Sequence, residues 1–188
     1  MNISKSKYVS YCQCPKLLWL NAYKPEEKTV DEELTQRFAT GNAVGDMAKD
    51  YFGKGNYVDL DEMRDEKGKP LYAKMIEATQ QEIQKGTENI CEAAFSYDGC
   101  YCAVDILHKV PSGYEIYEVK STGEVKDVYC LDAAYQKWVL EKCGVNVVGT
   151  YIMIINKEFV KHGEIDVKEF FKPVLVDDQL FKRRFRYF

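Results

Sequence analysis

Apolar residues recur at helical spacing over the first half of the chain. Helices are predicted over residues 1–25, from Asp31 to about Phe52, and from about Leu71 to Lys85. Ser4 or Ser6 is suited to cap the start of the first stretch, and Pro15 to open a second helix within it. Residues Tyr57–Leu60 form a short strand pattern between the later helices. The chain therefore begins with a helical segment.

The pattern changes at Asn89, where short runs rich in β-branched and aromatic residues begin. Strands are predicted over Ile90–Tyr97, Tyr101–Val110 and Tyr114–Ser121, followed by a helix over Val125–Cys143 and a buried strand over Val147–Ile155. Asp98-Gly99 predicts a hairpin turn, and Gly144 a helix end. Because a helix between two strands indicates a parallel crossover, we expect an α/β fold with a mixed sheet flanked by helices.

Composition narrows the class of protein without naming a function. The chain is 46% hydrophobic and 30% charged, with a net charge of −4, so no global positive field attracts nucleic acid. No signal peptide is recognisable, and the longest apolar stretches are too short to span a membrane. The odd number of cysteines, 7, favours a reducing cytoplasm over a disulfide scaffold.

Charged residues on two neighbouring predicted strands are the candidate chemistry. Asp105 lies in an otherwise apolar strand, while Glu118 and Lys120 share one face of the next strand. A hairpin would bring the two carboxylates together, and hard oxygen ligands select Mg²⁺ or Mn²⁺. Such a metal with a lysine beside it suits phosphodiester hydrolysis. The alternative is a solvated strand face, with Asp105 paired to Lys120 or Lys109.

Seven short segments, in this order, give the sequence a family resemblance. They are Ser4–Tyr8, Cys12–Leu20, Phe38–Asp46, Glu92–Phe95, Ala103–Leu107, Tyr117–Ser121 and Ala134–Trp138. Together they resemble the PD-(D/E)XK nuclease superfamily, in its RecB-like exonuclease branch. They are most similar to a bacterial family with an N-terminal nuclease domain, related to the CRISPR-associated RecB-like exonucleases. The resemblance implies a restriction-endonuclease-like fold and metal-dependent DNA cleavage.

The resemblance also implies roles for individual positions. Asp105, Glu118 and the carbonyl of Val119 match metal ligands, Lys120 matches the catalytic lysine, and Gln136 matches a glutamine that holds substrate or water. Substrate contacts are expected from the neighbouring positions Tyr135, Ser121 and Lys126. For Tyr135 the alternative is plain core packing.

The first helical motif departs from the pattern of the family. Gly41-Asn-Ala-Val-Gly45 has glycine where RecB-like nucleases usually carry a metal-binding histidine. Asp46 is the candidate substitute ligand, although one residue rotates its direction by about 100° on a helix. Its alternative is a solvated residue paired with Lys49. Two glycines inside a helix also require a reason, such as the close approach of a backbone or substrate.

The cysteines and the basic C-terminal residues have weaker interpretations. Related exonucleases hold an iron–sulfur cluster on four cysteines, of which this chain matches one, Cys14, so no cluster is expected. A zinc site on Cys12, Cys14, Cys100 and Cys102 is an alternative to buried free thiols. Residues 181–188 interleave basic and aromatic side chains, which suits either DNA binding or the start of a further domain.

We therefore divide the chain into a helical segment over 1–88 that carries the first nuclease motif, a nuclease core over 89–160, and a tail over 161–188. The expected function is exonucleolytic DNA cleavage in repair, recombination or defence, in the cytoplasm and without a membrane partner. The alternative is a nuclease-fold module that has lost catalysis and binds nucleic acid or a protein.

Overall fold

The computed structural model describes residues 3–29 and 32–179. The strands in these ranges are β1 (Ile3–Ser4), β2 (Val58–Asp59), β3 (Asn89–Tyr97), β4 (Cys100–Val110), β5 (Gly113–Val119), β6 (Val147–Ile155) and β7 (Phe171–Leu175). The helices are α1 (Lys5–Gln13), α2 (Pro15–Tyr23), α3 (Glu32–Lys49), α4 (Tyr72–Lys85), α5 (Asp127–Lys142) and α6 (Val167–Phe170). The basic segment 181–188 and Asp31 lie outside the described residues.

The described strands form one mixed sheet. Its order is β2-β3-β4-β5-β6-β7, and β1 pairs with β4 beside this path. Strands β3, β4 and β5 form an antiparallel meander, and Asp98 and Gly99 at the first turn both have positive φ, as a tight hairpin requires. Strand β6 runs parallel to β5 after the α5 crossover. The predicted α/β fold, a mixed sheet flanked by helices, is confirmed.

Helices cover both faces of the sheet. On one face α4 and α5 contribute Met75, Tyr135, Val139 and Leu140 to the largest apolar cluster. On the other face, Val44 and Ala48 of α3 pack with Tyr117 and Met153 of the sheet. Every segment of the sequence division supplies a strand to this sheet, since β1 and β2 come from 1–88 and β7 from 161–188.

Two strands are absent from the sequence prediction. Strand β1 is two residues long and directly precedes α1, whose N-cap Ser4 accepts the Lys7 N–H at 3.4 Å. Strand β7 contains Pro173, which argues against a central strand and is tolerated here because β7 pairs only with β6 among the described strands. Both strands are short or irregular, so neither has a strong sequence pattern.

Candidate functional site

The site lies where β4 and β5 separate. Their ladder runs from the Val110–Gly113 pair to the Ile106–Tyr117 pair. Farther along β4, the neighbouring position is taken by β1, which pairs with Cys100 and Tyr101. A gap is left between the end of β5 and β1, and Lys5 follows β1 directly.

Asp105 lies at the edge of this gap and holds the end of β5. Its Oδ2 accepts the Val119 N–H at 2.7 Å, in place of a backbone carbonyl from β4. Strand β4 also changes face here: Val104 packs under α4 and α5, whereas Ile106 packs under α3. Regular alternation would put both on one face, so the strand is distorted at Asp105.

Glu118 is the centre of the site and is 1% exposed. Lys5 Nζ lies 3.1 Å from each of its carboxylate oxygens, Lys120 Nζ donates to Oε1, and Gln136 Nε2 donates to Oε2 at 2.6 Å. A buried carboxylate needs such compensation, because burial without partners costs several kcal/mol. The predicted proximity of Glu118 and Lys120 is therefore present, with Gln136 beside them.

Asp132, on α5, completes the group. Its Oδ2 accepts from Lys120 at 2.9 Å, its Oδ1 accepts from Gln136 at 3.2 Å, and Lys5 Nζ lies 3.8 Å away. Lys5 Nζ is also 4.0 Å from Asp105 Oδ1. We call this set the carboxylate cluster, which comprises Asp105, Glu118 and Asp132 with Lys5, Lys120 and Gln136.

Burial and charge set the ionisation of the carboxylate cluster. Burial favours the neutral form of Glu118, but the ammonium groups of Lys5 and Lys120 outweigh it and hold the pKa of Glu118 below its ordinary range. Burial and the Glu118 charge raise the pKa of Asp105, and the same two causes raise the pKa of Asp132 to about 6. Glu118 is therefore the charged anchor for both lysines.

Glu92 on β3 adjoins Asp105. It falls between the pairs Cys91–Ile106 and Ala93–Val104, so it is opposite Asp105 in the register. Its φ of +55° is unusual for a residue with a side chain. Burial and the Asp105 charge raise the pKa of Glu92 to about 8.

Tyr135 lies in the core beside this site. It is 3% exposed, stacks on Tyr8 with ring centroids 5.0 Å apart, and donates its hydroxyl to the Ile3 carbonyl at 2.6 Å. These contacts dock β1 and α1 against α5. They correspond to the packing interpretation of Tyr135.

The first helical motif lies apart from the carboxylate cluster. Asp46 is 72% exposed at its side chain and accepts from Lys49 Nζ at 2.9 Å. A Cβ added at Gly41 or Gly45 would meet no described atom within 4 Å, so no close backbone explains these glycines. Gly41, Gly45, Asp46 and Lys49, which we call the glycine rim, instead line a cavity of about 540 Å³ that also reaches Asp105, Glu92 and Val119.

Ser121 and Lys126 occupy the connection from β5 to α5. Both side chains are exposed, and Lys126 is the N-cap residue of α5. Neither side chain hydrogen-bonds Glu118 in the part of the chain that the structure describes. The side chains that donate to Glu118 there are those of Lys5, Lys120 and Gln136.

Lys5 and Asp132 are the members of the cluster that sequence reasoning missed. Asp132 precedes Gln136 by four residues on one helix, so the two share a helix face, and this spacing could have identified it. Lys5 offered a weaker signal, as a lysine inside the first segment of the family resemblance.

No group of three or more His, Cys, Asp or Glu side chains in 3–29 and 32–179, the carboxylate cluster included, is arranged to hold a metal ion. All seven cysteines fall in these ranges and are free thiols, three of them buried. No helix in the same ranges combines the length and apolar character needed to cross a membrane.

No protein-family model matches the chain, and no curated protein matches it significantly.

Proposed function

We propose that the chain is a metal-dependent nuclease of the RecB-like branch of the PD-(D/E)XK superfamily, which hydrolyses DNA phosphodiester bonds. The observation that carries this proposal is the convergence of Asp105, Glu118 and Lys120 where β4 and β5 separate. Buried carboxylates grouped with lysines at a cavity are typical of catalytic sites.

The donor set suits a hard divalent cation. A stand-in cation, the Lys5 ammonium, lies 3.1 Å from both Glu118 oxygens and 4.0 Å from Asp105 Oδ1, so a single positive centre can attract both carboxylates. Carboxylate and carbonyl oxygens favour Mg²⁺ or Mn²⁺ over softer metals. Asp105, Glu118 and the Val119 carbonyl are the ligands we propose.

Each polar group of the cluster then has a role in hydrolysis. When bound, the metal would polarise the phosphate and lower the pKa of a water molecule. Lys120 supplies a positive charge to the phosphate oxygens as negative charge develops there. Gln136 holds Glu118 in position, and its buried Oε1, which has no hydrogen-bond partner among the described residues, is an acceptor for a water or substrate donor.

Two cavities meet at Asp105 and Glu92 and offer room for a strand of DNA. One, of about 770 Å³, is lined by Ser4, Ser6, Lys7, Tyr72 and Tyr101, among others. The other is the cavity at the glycine rim. Hydroxyl, ammonium and aromatic groups are the side chains that bind phosphates and stack on bases. The cavities support a path for the polynucleotide across Asp105.

The biological setting is part of the same proposal. We infer an exonuclease of DNA repair, recombination or defence, with DNA as its partner. The seven free thiols favour the reducing cytoplasm as its compartment.

A nuclease assay with matched variants tests the proposal. The purified full chain is incubated with end-labelled linear single- and double-stranded DNA in Mg²⁺, in Mn²⁺ and in EDTA. We expect degradation that requires metal and falls at least about 100-fold in Lys120→Met, because one electrostatic contact to the transition state is worth that much. Lys142→Met, which removes an exposed lysine from the end of α5, is the control and keeps wild-type activity.

Two results would contradict the nuclease. One is wild-type protein that degrades no DNA with either metal. The other is Lys120→Met protein with undiminished activity, because the cluster would then not be the catalytic centre.

A second candidate function is a nuclease-fold module without catalysis. It is favoured by the two lysines that already neutralise the carboxylates, and by Gly45 at the position of the usual histidine. Such a module would retard DNA at low salt without cleaving it and would release no heat on titration with Mn²⁺. Retardation of DNA together with metal-dependent cleavage would exclude it.

A further inference from the structure

Lys5 is bound within the group of carboxylates that we propose as the metal site. Its Nζ is 3.1 Å from each oxygen of Glu118, 3.8 Å from Asp132 Oδ1 and 4.0 Å from Asp105 Oδ1. Two of these three residues are the side-chain ligands proposed for a divalent cation. An ammonium group and a metal ion therefore depend on the same oxygens.

The fold is built to deliver Lys5 to this point. Strand β1 pairs with β4 beyond the end of β5, and α1 begins at Lys5 itself. The Tyr135 hydroxyl holds the Ile3 carbonyl at 2.6 Å, and Tyr8 stacks on Tyr135. Contacts of Ile3, before Lys5, and of Tyr8, after it, therefore fix the backbone at Lys5. The position of Lys5 does not depend on its own ion pairs alone.

The side chain of Lys5 nevertheless has somewhere to go. It is 25% exposed and lines the cavity of about 770 Å³ together with Ser4, Ser6 and Lys7. Four rotatable bonds allow its ammonium group to move into this cavity while the backbone of α1 stays docked. A cation that binds Asp105 and Glu118 would repel the ammonium in that direction.

We propose that Lys5 is a built-in counter-ion that competes with the divalent cation for Glu118 and Asp105, so that metal binds only when the Lys5 ammonium leaves these oxygens. This inference rests on the proposed function, because it uses the same carboxylates as metal ligands. The competition explains how three carboxyl groups are kept together when no metal is bound. It also means that activity requires a metal concentration high enough to displace the Lys5 ammonium.

Calorimetric titration of the purified full chain with MnCl₂ tests the competition without any nuclease assay. The variants are Lys5→Met, which removes the charge, and Lys5→Arg, which keeps it. Lys16→Met is the matched control, because it removes one exposed lysine from the neighbouring helix α2. Circular dichroism of each variant, with and without Mn²⁺, verifies that it is folded.

We expect Lys5→Met to bind Mn²⁺ at least about tenfold more tightly than wild type, with Lys5→Arg and Lys16→Met within about threefold of wild type. Thermal unfolding gives a second readout: saturating Mn²⁺ should raise the melting temperature of Lys5→Met by more than that of wild type, since a tighter ligand stabilises more.

Equal or weaker Mn²⁺ binding by Lys5→Met would overturn the competition. If wild type still cleaves DNA with Mn²⁺ in that case, this inference fails and the nuclease stands. If Lys5→Met binds Mn²⁺ more tightly but no variant cleaves DNA, the competition stands and the nuclease fails. Absence of Mn²⁺ binding in both proteins would overturn this inference and leave the nuclease without its metal.

Discussion

The carboxylate cluster and the glycine rim face the same space around Asp105, but they are organised in opposite ways. In the cluster, Glu118 is 1% exposed and engages two lysines and a glutamine. In the rim, Asp46 is 72% exposed at its side chain and pairs with Lys49, three residues away on the same helix. Both regions carry a charged residue that the sequence marks as a candidate metal ligand.

The difference between the two regions follows from how far each carboxylate is exposed to solvent. A buried carboxylate must find partners, so the fold positions groups from β1–α1, β5 and α5 around Glu118. An exposed carboxylate is already solvated, and its ion pair contributes little. Strong mutual dependence is therefore expected in the carboxylate cluster, whereas Asp46 in the glycine rim should be nearly independent of its neighbours.

The largest effect is expected from Glu118→Gln. The change leaves two ammonium groups beside a neutral amide, with Asp132 as their remaining close carboxylate, and we expect a loss of about 3 kcal/mol of unfolding free energy at pH 7, the low end for breaking a buried ion pair. Asp46→Asn is the matched change in the rim and should cost under about 0.5 kcal/mol. Urea denaturation of both variants in EDTA measures the contrast.

The difference in unfolding free energy between wild type and Glu118→Gln depends on pH with a definite sign. The pKa of Glu118 is lowered in the folded protein, so its stabilising contribution is present above the ordinary glutamate value and is lost as the pH falls. The gap between wild type and Glu118→Gln should therefore narrow below about pH 4. Equal losses in Glu118→Gln and Asp46→Asn at pH 7 would contradict the comparison.

Glu92 lies between the carboxylate cluster and the glycine rim. Its effect on stability should have the opposite pH dependence to that of Glu118. The folded protein holds its proton up to a pKa of about 8, compared with an ordinary value of 4.5, so ionisation of Glu92 destabilises the fold as the pH rises through this window. In EDTA, Glu92→Gln should be more stable than wild type by about 1–2 kcal/mol at pH 9 and nearly equal to it at pH 4.5. Gln keeps the side-chain length, so the backbone conformation at this position is common to both proteins.

Thermal unfolding at the two pH values measures this effect. Glu164→Gln, which changes an exposed glutamate, is the control and should show no such dependence. A Glu92→Gln variant that is less stable than wild type at pH 9 would mean that the carboxylate is held by partners in its charged form.

The smallest effect is expected in the glycine rim. Gly45→Ala should stabilise the protein by about 0.5–1 kcal/mol, because alanine is the better helix former. An added Cβ meets no described atom within 4 Å, so no steric cost opposes the gain. Chemical denaturation measures the change, and destabilisation would mean that another group closes on this surface in solution.

The same open surface lets Gly45→His test the histidine that the family resemblance expects. If the rim and the carboxylates share one metal, Gly45→His should strengthen Mn²⁺ binding relative to Gly45→Ala, as measured by calorimetry. An unchanged Mn²⁺ affinity would mean that the glycine rim does not lie within reach of the metal site.

Most of the fold could be predicted from the sequence because its elements are long and strongly patterned. The meander from Asn89 to Val119, helix α5 and strand β6 have clear apolar periods, and Asp98-Gly99 and Gly144 mark their ends. Strands β1 and β7 were missed for the opposite reason. Two residues have no period, and Pro173 is a poor strand residue whose role at a sheet edge is visible only once β6 is beside it.

The candidate site was predictable in part for a similar reason. Lys120 follows β5 directly and lies two residues from Glu118, and the hairpin brings Asp105 near them, so local geometry is enough. Lys5 is 113 residues from Glu118 in sequence. No local rule connects them, because their contact depends on β1 occupying the position beside β4 that β5 vacates.

The sequence by itself determined most of the elements, where the meander turns, and that Glu118 and Lys120, two residues apart, lie on the same side, because backbone sterics and apolar periodicity act over a few residues. Only the tertiary structure decided that Lys5, Asp132 and Gln136 surround that glutamate while Asp46 remains in solvent. Burial makes these partners obligatory, and burial is a property of the assembled sheet and helices rather than of any segment alone.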